Sequence, residues 1–208
     1  MLDFLKKYLI TGYLKFKDDR IVFGEDNLVF YFVPHLVYEA KGNRSIFGED
    51  YGASMFLAGR NEGFDFFNKH GIPKNKSIAE VFAMSFDILR TFGWGKFRTL
   101  KVDEKKRFMV MVGTSTFANE YKKMYGKTET PIDFMIAGLT AGALRYLTKE
   151  QVYSVEVKCC AEENVKNCLF VTGTKDNILS YIKKYAEDRF DLASRLIEKI
   201  DDNEKKLV

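Results

Sequence analysis

The chain has 208 residues, 46% hydrophobic and 15% aromatic, with only three prolines, and these proportions exclude an extended disordered polymer. Its 33 basic and 29 acidic residues are spread along the sequence to a net charge of +4, so counterion release offers little affinity and direct nucleic acid binding is not expected. No apolar run has the length of a membrane span, and MLDFLKKYLI lacks a positive region before its short apolar segment, which sets aside a signal peptide and points to the cytoplasm.

No linker rich in Pro, Gly or Ser divides the chain, so it reads as one domain over 1–208, with a β extension (1–33), a core (34–173) and a C-terminal helix (174–208). Leu2, Leu5 and Leu9 have the spacing of a short amphipathic helix. GYLKF, RIVF and LVFYFV are β-prone runs separated by the turn chemistry of Lys17-Asp18-Asp19 and Gly24-Glu25-Asp26-Asn27, predicting an antiparallel segment. Pro34 opens a short helix to about Ala40, which Gly42-Asn43 should break, and a longer helix runs from about Phe47 to Lys69. Met55, Gly59, Glu62 and Phe66 share one of its faces. Gly59 and Gly63 would let another backbone approach closely, a packing role.

Ser77 and Glu80 form a capping box for a helix from Ile78 to about Thr91, ended by Gly93 and Gly95. Trp94, between those glycines, can wall a pocket. Lys96 to Val102 and Arg107 to Gly113 read as a hairpin turning at Asp103 to Lys106, either face of which can meet helices, and a helix follows from about Thr116 to Met124. Nineteen phenylalanines imply a bulky core or a lined apolar cavity. The candidate lining for a small apolar ligand is Met55, Phe56, Phe66, Phe82, Phe86 and Trp94. His35 and His70 have no cysteine or carboxylate at ligand spacing, so a helix-boundary or surface role is expected.

The stretch from Pro131 to Phe170 holds all three cysteines. Thr130, Pro131 and Asp133 look like an N-cap, a first-turn proline and an acid at the third helical position of a helix to about Leu147. Two β runs follow, Val152 to Cys159 and Cys168 to Thr172, joined by the polar AEENVKN segment as a hairpin. Asp133, Glu156, Cys159 and Cys168 offer carboxylate oxygens and thiolate sulfurs, a donor set that zinc accepts in a closed tetrahedron. The plain alternative is a capping acid and buried thiols acting as small hydrophobes. An odd cysteine count does not suit a disulfide framework, whereas reduced thiols suit a metal. Beyond this, Leu179, Ile182, Ala186, Phe190, Ala193, Ile197 and Ile200 recur at three- and four-residue steps, predicting one long amphipathic helix of roughly 30 Å. Its stripe suits either its own domain or a second chain.

The motifs in this stretch resemble the 4-vinyl reductase domain, a family related to small subunits of the TRAPP vesicle-tethering complex. Pro131, Gly138 and Gly142 fit its helix, Glu156 and Cys159 its E-x-x-C, and Cys168 with Phe170 its C-x-F, while FLAGRNEGFDFF resembles its early helix. The matching positions bind zinc in phenol-sensing activators, which implies Asp133, Glu156, Cys159 and Cys168 as ligands here. Asp133 stands where those sensors have cysteine. The turn before Cys168 is one residue longer than usual, and Cys160 would restore the spacing, so Cys160 is a rival to Cys159. On a regular strand Glu156 and Cys159 face opposite ways, so a bulge or strand end near Cys159 is needed if E-x-x-C binds metal.

The expected fold is α+β, a four-stranded antiparallel sheet packed with helices. The leading function is a small-molecule-binding or sensory domain with a structural zinc site, and the resemblance implies a homodimer. A vinyl-reductase-type enzyme acting on a tetrapyrrole and a TRAPP-subunit-like assembly module are the alternatives. There is no G-x-G-x-x-G after a strand, no Walker A loop and no placeable catalytic triad, so no nucleotide cofactor and no catalytic residue is assigned.

Overall fold

Alternation over Phe108–Ser115 makes a strand with two apolar faces, and helices cover both. The computed structural model describes residues 12, 14–17, 20–23, 26–28, 32–70, 75–162 and 164–206. Strands β4 (Gly95–Asp103), β5 (Phe108–Ser115), β6 (Tyr153–Lys158) and β7 (Cys168–Gly173) form an antiparallel sheet in the order β4-β5-β7-β6. Phe108, Met109, Val110 and Met111 of β5 are all buried, so neither face of the sheet is left to solvent there. This is the expected α+β sheet.

The N-terminal strands β1 (Leu14–Lys17), β2 (Arg20–Phe23) and β3 (Asp26–Leu28) form a separate antiparallel sheet. The third strand begins earlier than LVFYFV predicts. Phe23 pairs with Asp26 and Val22 with Asn27, which draws two expected turn residues into the ladder. The amphipathic helix expected at Leu2, Leu5 and Leu9 lies outside the described residues.

Helix α1 (Val33–Phe47) runs through Gly42-Asn43, where a break was expected. Glycine inside a helix costs only about 1 kcal/mol, which flanking turns can carry. The reversal comes instead at Gly48, whose φ of +58° is costly for other residues, and α2 (Glu49–Lys69) starts directly after it. The capping box of α3 (Ile78–Thr91) is present as read: the Ser77 hydroxyl accepts from the Glu80 N–H, and the Glu80 carboxylate accepts from the Ser77 N–H. Helix α4 (Thr116–Tyr125) is capped by Ser115.

Helix α5 (Phe134–Thr148) packs on β6 and β7 and is crossed on its other side by α2. A Cβ on Gly138 would lie 2.2 Å from the Phe56 carbonyl oxygen, and one on Gly142 2.2 Å from that of Arg60. Reciprocally, a Cβ on Gly59 would lie 2.6 Å from the Met135 oxygen and one on Gly63 2.5 Å from that of Leu139. Both glycine pairs thus serve one backbone-to-backbone crossing, the packing role expected for Gly59 and Gly63.

The predicted single C-terminal helix is two. Helix α6 (Lys175–Tyr185) ends at Ala186, a 3₁₀ turn spans Glu187–Arg189, and α7 (Phe190–Lys206) follows. The apolar period continues across the break, so periodicity alone could not reveal it. Helix α7 contacts β6, α6 and α2, and its Ala193, Ile197 and Ile200 are fully buried. It thereby covers the free edge of β6, and its apolar stripe is used within this chain.

Candidate metal centre and adjoining cavities

Four local features bring the cysteine-rich stretch to one point. Strand β6 places Glu156 on the same face as Ser154, towards α5, and both are buried. Glu156 pairs with Phe170 and Lys158 with Leu169, so the register shifts between them, and the strand ends at Lys158. That irregularity, together with the strand end, releases Cys159 from strict alternation, as an E-x-x-C site requires. Residues 131–133 stay outside the helix, and α5 starts three residues later than expected: the N–H groups of Ile132 and Asp133 donate to Glu156 Oε2 at 3.1 and 3.0 Å. Asp133 occupies the N-cap position but makes no side-chain cap, and Thr130 accepts from Arg44 instead of capping the helix.

As a result, one ligand atom from each of Asp133, Glu156, Cys159 and Cys168 lies within 4.8 Å of every other. All four residues are buried. Cys168 Sγ is 3.7 Å from Asp133 Oδ2. Cys160 is outside that mutual set. Its sulfur lies 3.5 Å from Cys168 Sγ and 3.9 Å from the Ser115 carbonyl oxygen, and its N–H donates to Cys168 Sγ.

The electrostatics are those of acids crowded together away from water. Burial pushes the Asp133 carboxyl up to about 7, an effect that a Ser115 hydrogen bond partly offsets. Burial, then the Asp133 charge, raises Glu156 well above the carboxylate range. Hydrogen bonds among the sulfurs hold Cys159 and Cys168 above the thiol range and Cys160 below it. Glu156 Oε1 is buried with no hydrogen-bond partner. An orphaned carboxylate oxygen beside a second carboxylate and two thiols fits a divalent cation, which would offset the charges that desolvation opposes. In a zinc tetrahedron with bonds of about 2.0–2.3 Å, neighbouring ligands stand roughly 3.3–3.8 Å apart, a spacing this cluster meets with small side-chain adjustments. Four protein ligands leave no open position, which is the pattern of a structural site.

The loop that carries Cys159 and Cys160 is anchored by residues the sequence did not flag. Lys122 Nζ donates to the carbonyls of Cys160 and Glu162 at 3.0 and 2.7 Å. The buried Glu162 carboxylate meets Arg189 at both oxygens, each at 3.0 Å, tying the loop to the turn between α6 and α7. Glu162 and Arg189 are 27 residues apart, and no local pattern announces the pair.

Among the described residues, two cavities meet the cluster. One, of about 80 Å³, lies between α5, the β6 edge and α7, and its lining includes Asp133, Phe134, Ala137, Val155, Glu156 and Leu196. The other, of about 110 Å³, lies among α1, α2 and α4, with Tyr51, Met55, Trp94, Phe117, Phe134 and Met135 in its walls and Asp133 again at its edge. Of the expected pocket residues, Met55 and Trp94 line this second cavity. Phe56, Phe82 and Phe86 are buried in the core, where the Phe82 and Phe86 rings stand 5.9 Å apart, and Phe66 rests on His70 at 4.4 Å. These four line neither cavity. His35 sits on exposed α1 beside Glu39, and His70 caps α2.

No family model and no curated protein matches the sequence. Solved structures do match the fold. The phenol-responsive sensory domain of the transcription activator PoxR, solved with phenol, superposes with a TM-score of 0.70 at 16% identity, covering 93% of this chain and 96% of that one. A trafficking protein particle complex subunit 3 from Naegleria fowleri, covalently bound to palmitic acid, gives a TM-score of 0.50 at 12% identity over 70% of this chain and 96% of that one. A vinyl-4-reductase family protein from Methanocaldococcus jannaschii is also similar, with a TM-score of 0.46 at 20% identity, over 70% of this chain and 82% of that one. At the level of fold, the chain is similar to the PoxR sensory domain and to the trafficking complex subunit.

Proposed function

We propose that this protein is a small-molecule-binding sensory domain in which a structural zinc, held by Asp133, Glu156, Cys159 and Cys168, stands at the edge of an apolar ligand cavity. The observation that supports it best is the convergence of both cavities on Asp133, one of the gathered donors. A ligand in either cavity would press on the residue that joins α5 to the metal. Zinc would supply charge compensation and a cross-link between α5 and both arms of the hairpin. The chain's own part is to orient Glu156 through two backbone N–H groups and to bury the four donors. The cavity linings suit an apolar molecule with an aromatic ring, for which Trp94, Phe117 and Met55 offer ring and sulfur contacts. The phenol-bound sensory domain at TM-score 0.70 is consistent with this class of ligand.

The test is the metal content of tag-free protein purified without chelator, beside Cys159→Ser, Cys160→Ser and Cys168→Ser. One zinc per chain, lost with Cys159 and Cys168 and kept with Cys160, is the expected result. Zinc lost with Cys160 and kept without Cys159 would assign the rival ligand; no zinc in any form would reduce the cluster to packed thiols.

A single cytoplasmic domain is part of this proposal; among the described residues, no helix is long and apolar enough to cross a membrane. One observation favours a second reading, an assembly module: Phe32, Tyr38, Ile46 and Phe47, around α1, are 85%, 61%, 73% and 59% exposed. Sedimentation of the purified chain checks the homodimer that both readings accept, and a strict monomer would remove the assembly reading.

A further inference from the structure

We propose that Phe134 is a partition between the two cavities that sets the size of the accepted ligand. The inference rests on the ligand-binding reading above and adds the residue that decides which ligands fit.

Among the described residues, only Asp133 and Phe134 border both cavities. Asp133 faces the metal cluster, which leaves the half-buried Phe134 ring as the side chain free to divide the space. Its tip rests on α2. A Cβ built on Gly52 would stand 2.8 Å from Phe134 Cζ and 2.9 Å from Cε1, so the ring occupies room that a glycine leaves. Along α2 the two sides of that contact belong to different cavities: Glu49 and Gly52 line one, Tyr51 and Met55 the other. The ring therefore spans from the start of α5 to the backbone of α2 and closes the passage between them.

The volumes give the partition its consequence. A water needs roughly 10–15 Å³ of such space, so cavities of about 80 and 110 Å³ each hold several waters or one small ring. A fused two-ring molecule needs more room than one ring, and the Phe134 ring blocks its extension from one cavity into the other. Removing the ring would join the two cavities and add its own space. Well-packed apolar walls do not open freely for an oversized ligand, because extra methylenes strain their neighbours.

Isothermal titration of the full zinc-loaded chain with phenol and with 2-naphthol tests this, in wild type, Phe134→Ala, Phe134→Leu and Gly52→Ala. Wild type should bind phenol and bind 2-naphthol at least tenfold more weakly. Phe134→Ala should tighten 2-naphthol at least tenfold without tightening phenol, and Phe134→Leu should fall between. Gly52→Ala displaces the ring without removing it and should change the 2-naphthol to phenol ratio in the same direction as Phe134→Leu. If Phe134→Ala does not fold, the Leu and Gly52 variants carry the comparison. Phenol binding in every form with an unchanged preference overturns the partition and leaves the ligand-binding reading standing. No binding of either ring to any form overturns both.

Discussion

The two parts of α5 solve opposite problems. Along its middle, Gly138 and Gly142 remove side chains so that α2 can lie directly on the backbone, and the contact is carried by close packing. At its N-terminus the same helix meets two carboxylates and two thiols, groups whose charged forms resist burial. A crossing of this kind tolerates no added atom, whereas the cluster should tolerate changes of shape but not of charge compensation. Stability in the first region is a property of the chain. In the second it would depend on the proposed zinc.

The largest expected effect lies at the crossing. Gly142→Val places atoms where even a Cβ would be 2.2 Å from the Arg60 carbonyl oxygen, so a loss of about 3 kcal/mol or more is expected in urea unfolding, with or without chelator. Next comes the anchor of the loop that carries Cys159 and Cys160. Arg189→Ala leaves the buried Glu162 carboxylate unpaired and should cost on the order of 3 kcal/mol, while Glu162→Gln, which leaves no buried charge behind, should cost less. Cys168→Ser sharpens the contrast between the regions. With zinc at a hundredfold excess over Kd, wild type should gain about 2.7 kcal/mol that the variant lacks, and that part of the difference should vanish in chelator. A chelator-independent difference would make Cys168 a packing residue. Ser77→Ala removes the α3 cap for about 1 kcal/mol and should leave zinc content unchanged. Smallest, and opposite in sign, is Gly42→Ala: no atom lies within 4 Å of its added Cβ inside α1, so a gain of about 0.5–1 kcal/mol is expected, unlike at any glycine of the crossing.

The reach of the sequence can be judged at particular residues. Ser77 and Glu80 announced α3 because a capping box is a contact between residues three apart. The β4–β5 and β6–β7 hairpins were legible because alternation and turn chemistry are local. The donor set at Asp133, Glu156, Cys159 and Cys168 was legible through residue type and a motif resemblance, and the structure brings those four together. The expected lining was less so. Phe56, Phe82 and Phe86 have the same apolar character as Met55 and Trp94, and whether such a side chain fills a core or faces a cavity depends on what packs opposite it.

Legible along the chain is thus an inventory: most of the described helices and strands, how the hairpins close, and which residues offer metal donors. These follow from hydrogen bonds and side-chain spacing within a few residues. The tertiary structure decided the rest. It delayed the start of α5, because Glu156 takes the N–H groups of Ile132 and Asp133. It broke the C-terminal helix at Ala186, so that α7 covers the β6 edge while Arg189 meets Glu162. It set Phe134 against Gly52 between two cavities. Each of these outcomes is a contact between residues tens of positions apart, formed only when the sheet and helices close on one another, and no local pattern encodes it.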